Sequence, residues 1–109
     1  MPVTLAAGLD QMRATEWFAA HESFEAEWRD APEAERDFLQ GLVHVTVAWH
    51  HASEGNAAGT AGQLGKAATR LAPYAPEHRG VRVDRVLGQI EAAQARVAEG
   101  LLDLLPVRI

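Results

Sequence analysis

The stretch from Glu33 to Glu54 limits the fold more than any other part of the chain, because it is apolar on two sides at helical spacing and closed at both ends. Phe38, Leu39, Leu42, Val45, Thr46 and Trp49 form one stripe. Gln40, His44, Val47 and His51 form a second on the opposite side. Pro32 sits at a first-turn position, Glu33 and Glu35 face the positive end of the helix dipole, and Gly55 accepts the left-handed conformation common just past a helix end. Such a helix belongs at the centre of an all-α domain, with other helices packed around it.

The flanking segments supply those helices. Residues 4 to 13 form the first, with Thr4 as cap and Leu5, Leu9 and Met12 on one side. Thr15 opens the second, which must stop before Pro32 because the residue preceding proline is driven out of the helical region. Its three-and-four spacing puts Trp17, Phe18, His21, Phe24, Glu25 and Trp28 on one inward face. Helices two and three are therefore antiparallel, joined by the short Asp30 to Pro32 turn. Asn56 caps a fourth helix ending near Pro73, whose Gly59, Gly62 and Gly65 weaken it unless a neighbouring backbone approaches closely. After the loop YAPEHRGVRV, Asp84 caps a last helix whose stripe runs Val86, Leu87, Ile90, Val97, Leu101, Leu104, with Gly100 fraying its end.

Composition narrows the function classes. A chain of 109 residues builds one core, so residues 1–109 form one helical domain. A net charge of −5 opposes general affinity for nucleic acid or anionic lipid, and the one dense basic group, Arg79, Arg82 and Arg85, reads as a solvated loop. With no cysteine there are no thiolate sites or disulfides. No segment reads as a leader or a membrane span, so the expected location is cytoplasmic and the expected partner is a protein or a second copy of the chain.

The segment HESFEAEW, residues 21 to 28, places ionisable groups inside an aromatic stripe. A zinc protease needs a second histidine four residues after the first, where this chain has Glu25. A di-iron bundle needs Glu-x-x-His on two helices, and no such pair occurs. The run TAGQLGKAA lacks the first glycine and the hydroxyl of a phosphate loop, and no strand precedes it. His50 and His51 point about 100° apart, and His78 reads as a solvated loop residue. Ser23 and Ser53 have no nucleophile signature. His21 and Glu25 are then expected as hydrogen-bonded partners buried between helices, meeting Gln40, His44 or His51, with Glu25 or Glu22 accepting a tryptophan N–H. The competing reading is a divalent-metal or small-ligand site using His21, Glu22, Glu25 and His51.

In order, Trp17, Phe18, His21, Glu22, Glu25 and Trp28, then Phe38, Leu39, Gln40, Gly41 and Leu42, then His51, Gly55, Asn56 and Gly59 resemble the pattern of a bacterial and plastid family, domain of unknown function number 309. The resemblance covers about half the chain. It implies a small all-helical protein with a shared cluster of His21, Glu22, Glu25, Trp28, Gln40 and His51, and no assigned activity. Such proteins often carry glutamine where this chain has His44. Two functions follow: a structural or interaction module with an internal polar cluster, or a metal- or ligand-binding enzyme built on the same residues.

Overall fold

Helix α3, Glu33–Ser53, is the central helix, flanked by two others, on which the first and last helices pack in turn. The computed structural model describes residues 5–109, with α1 at Leu5–Arg13, α2 at Trp17–Arg29, α4 at Ala57–Leu71 and α5 at Val83–Ala98. The expected cap Thr4 lies outside the described residues. Phe38, Leu39, Leu42, Val45 and Ala48 of α3 are completely buried. α3 packs most extensively on α4 and then on α2, which returns antiparallel to it across the turn at 30–32. No helix among the described residues is long and apolar enough to cross a membrane.

Glycine sets one critical distance. A Cβ on Gly41 would stand 2.6 Å from Cγ of Leu71, so the fully buried Leu71 of α4 sits directly on the α3 backbone. The glycines of α4 behave differently: an added Cβ at Gly62 or Gly65 meets nothing within 4 Å, whereas at Gly59 it meets the His51 ring and Asn56. Close approach therefore explains Gly59 and leaves Gly62 and Gly65 as uncompensated weak points in a helix.

Helix ends follow the expected chemistry in part. Gly55, at φ +74°, closes α3 with Gly55 N–H donating to Ala52 O and Asn56 N–H to His51 O. Asn56 then caps α4, its Oδ1 accepting from Gly59 N–H at 2.8 Å. Thr15 departs from the expected helix start. It takes φ +59° and ends α1 by the same pair of bonds, Thr15 N–H to Met12 O and Glu16 N–H to Gln11 O, so α2 begins at Trp17. Asp84 is likewise not the cap of α5 but lies in its first turn, after Arg82.

The last helix is shorter than its apolar spacing suggests. Gly100, at φ +81°, terminates it after Ala98, and residues 101–109 run without regular structure back along the molecule. This strap is tied by specific bonds. Trp49 Nε1–H donates to Leu105 O at 2.9 Å, Gln89 exchanges two bonds with the backbone of Arg108 at 2.7 and 2.6 Å, and Arg13 donates to Ile109 O at 3.0 Å. Val107 is buried against the core. Neither Glu22 nor Glu25 accepts from Trp49; a backbone carbonyl does.

Gly62→Ala and Gly65→Ala should each stabilise the protein in urea titration by about 0.5–1 kcal/mol, since alanine improves helix propensity and nothing obstructs the methyl group. Gly41→Ala should destabilise by about 1–3 kcal/mol through overpacking on Leu71. Gln89→Ala, which frees the strap, should cost roughly 1–3 kcal/mol and red-shift the Trp49 emission; unchanged stability and fluorescence would show that the strap adds nothing.

Candidate functional site

Helix α2 turns Ala20, Ser23 and Phe24 to the core, all buried, and Phe18, Glu22 and Arg29 to the outside. Phe24 presses its ring onto the bare backbone of Gly8 in α1, and Ser23 Oγ–H donates to Gln11 Oε1 at 2.5 Å. The buried centre lies roughly one residue, about 100°, round the helix from the face implied by the aromatic spacing. Phe18 is thereby 66% exposed.

This rotation decides the fate of HESFEAEW. His21 and Glu25 remain together, Nε2 to Oε1 3.5 Å, but their side chains keep 29% and 37% of their exposure, and Glu22 is exposed. The pair lies along one helix rather than across an interface. A half-solvated i,i+4 pair contributes only about 0.3–0.5 kcal/mol, so the several kcal/mol at stake for an enclosed ion pair do not arise here. The expectation of an internal cluster is corrected on this point.

The remaining members separate. Glu25, Trp28 and Gln40 line one surface groove of ≈ 620 Å³ at the α2–α3 seam, together with Arg36, Asp37 and Arg70. The Arg36 guanidinium lies 4.3 Å from the centre of the Trp28 ring, a cation–π contact, and Arg70 bonds Asp37 at 2.7 Å. His51 is elsewhere: it stands eleven positions beyond Gln40, about 16 Å along the helix axis, where its Nδ1 meets Asn56 Nδ2 at 3.3 Å. Among the described residues no group of three or more His, Asp or Glu side chains is placed to hold a metal ion, so His21, Glu25 and His51 are not assembled as one.

Two other histidines join helices. His78 is no solvated loop residue: Nε2 meets Glu35 Oε1 at 2.8 Å, and its ring stacks edge-on to Phe38 at 4.6 Å and beside Tyr74 at 4.8 Å. Arg79 reaches Glu27 and Glu35 at 3.5 and 3.7 Å, and Tyr74 O–H donates to Ala34 O at 2.8 Å. The loop is thus clamped over the α2–α3 turn. The signal for it was an aromatic and an imidazole four residues apart across Pro76.

His44 ties α3 to α4 through Nδ1 and Gln63 Oε1, 2.6 Å apart. A carbonyl oxygen accepts, so Nδ1 carries the hydrogen and Nε2, buried without a partner, keeps a bare lone pair. Burial of the ring holds its pKa below the ordinary 6.5; the Gln63 bond opposes this, and the nearby Arg70 and Lys66 charges add to it. A depressed histidine pKa means that the unfolded chain binds the proton more readily, so the contribution is whole above pH 6.5 and is lost as pH falls from there through the folded value. In the His44→Gln variant, which keeps a hydrogen-bonding side chain, stability measured by urea titration should fall less steeply below pH 6.5 than in the wild type. Equal slopes would remove His44 as the source.

The family model described as a domain of unknown function (DUF309) matches residues 5–62, which span α1, α2, α3 and the start of α4 and contain Phe18, His21, Glu22, Glu25, Trp28, Gln40 and His51. No curated protein and no solved structure matches the chain. With more than half of its length under that model, and with the helices that build the α2–α3 seam inside the match, the chain belongs to the DUF309 family.

Proposed function

We propose that this chain is a non-catalytic interaction module that receives a basic, helical segment of a partner protein on the outer face of α2 and the seam beside it. The observation that carries this reading is Phe18. An aromatic side chain left 66% exposed contributes little of the roughly 2–3 kcal/mol that full burial supplies, so its place on a helix is better accounted for by a second surface than by folding. Glu22 and Glu25 follow it on the same face, one and two turns along.

Charge supports the choice of partner. Glu16, Glu22 and Asp30, on α2 and at its ends, and Glu33 at the start of α3 are exposed and make no ion pair among the described residues. A segment with Lys or Arg flanking an apolar residue would complement them and cover the Phe18 ring, with His21, Glu25, Trp28 and Gln40 along the rim. In this reading His51 is a joint between α3 and α4 and not a contact. The enzyme alternative has less support: Arg36 already covers the Trp28 face and Arg70 is engaged by Asp37, so both cations of the groove are taken up within the chain.

A displayed peptide library selected on the wild-type chain tests the reading. Recovered peptides should carry basic residues at helical spacing around an apolar one, and should bind Phe18→Asp or Glu22→Lys at least about tenfold more weakly, a loss of roughly 1.4 kcal/mol. Both variants change exposed side chains, so circular dichroism should be unaltered. Recovery of no peptide, of acidic peptides, or of peptides indifferent to Phe18→Asp would refute it.

A further inference from the structure

Folding brings Arg108 of the strap to Arg82 and Arg85 at the start of α5, where the three line one shallow groove of ≈ 520 Å³ with Gly80 and Gly88. Arg108 is fixed through its backbone, which exchanges two hydrogen bonds with Gln89, so its guanidinium is not needed to hold the strap. Arg13, Arg70, Arg79, Arg82 and Arg96 each meet a carboxylate, whereas Arg29, Arg36, Arg85 and Arg108 meet none among the described residues, and of these four Arg85 and Arg108 line one groove together. The nearest acid by sequence, Asp84, is held by Arg82 at 3.2 Å and by the Arg85 N–H at 2.8 Å, and does not line the groove.

Gly88 lines the groove as well, an exposed helical glycine with the same open space about it as Gly62 and Gly65. It lies in the interior of α5, where glycine is disfavoured, yet an added Cβ would meet nothing within 4 Å. No neighbour in the molecule requires its bareness. A side chain at this position would occupy space beside the arginines, where Ala92 and Ile109 supply further apolar lining.

We propose that this groove binds a small phosphorylated molecule, its phosphate held between the Arg85 and Arg108 guanidiniums. The planar fork of arginine matches phosphate oxygens two at a time, and two free guanidiniums balance the charge of one phosphate. A small ligand is favoured over a polymeric one because the remaining negative charge of the chain repels an extended polyanion. This site is independent of the α2 surface.

Calorimetric titration with inorganic pyrophosphate at constant ionic strength tests the assignment. Saturable binding at one site per chain is expected, weakened at least about tenfold by Arg85→Ala or by Arg108→Ala and unchanged by the remote Arg29→Ala. Gly88→Leu separates this from misfolding, since it should raise the melting temperature by improving helix propensity while filling the groove and abolishing binding. Absence of saturable heat, an equal loss in Arg29→Ala, or full binding by Gly88→Leu would overturn the proposal. Co-sedimentation with phosphatidic acid vesicles without any pyrophosphate heat would assign the arginines to a lipid surface and overturn it as well.

Discussion

The fold depends on how closely α4 can approach α3, and that distance is set where Leu71 rests on the bare backbone of Gly41. Packing at this density leaves no room for a methyl group, so the contact fixes the position of α4 along α3 as well as its separation. Placement of His44 opposite Gln63 follows from the same docking, whereas His51 is set beside Asn56 by the local turn at Gly55. A helix buried on several sides needs neighbours on several sides. α2, α4 and the strap provide them, while α1 packs on α2 and α5 on α4.

Histidine serves this molecule mainly at joints. His44 links α3 to α4, His78 links the loop before α5 to Glu35, and His50 meets Glu54 within the last turn of α3. For His44 and His78 the pairing satisfies a part-buried ring nitrogen that would otherwise lose water on folding, whereas the His50 pair stays exposed. The exception is Nε2 of His44, buried with no partner, which is why that ring resists protonation. The polar character of the interior is therefore distributed along helix seams rather than gathered into one catalytic-looking cluster.

Helix α2 has a different task on each side. Ala20, Ser23 and Phe24 are small or flat enough to let α1 come close, and the resulting rotation leaves Phe18 and its acidic neighbours facing outward. On the hydrophobicity of single residues, Trp17, Phe18 and Trp28 outweigh Ala20 and Ser23, so periodicity alone centres the buried face in the wrong place. Close packing favours the small residues instead. The surface proposed for a partner is a direct consequence of that preference.

By itself the sequence determined the all-helical class, the number of helices, the central place of the helix after Pro32, its end at Gly55 and the Asn56 cap, because these depend on local backbone preference and on short-range periodicity. Membership of the family was legible too, in the order of residues between Trp17 and Gly59. Only the tertiary structure decided the rotation of α2, the division of the His/Glu/Gln set between a surface groove and a helix joint, and the return of the strap to give the Trp49 N–H its acceptor. Those outcomes turn on contacts between residues distant in the chain, such as Gly8 with Phe24 and Trp49 with Leu105, whose energies have no signature in the spacing of either partner.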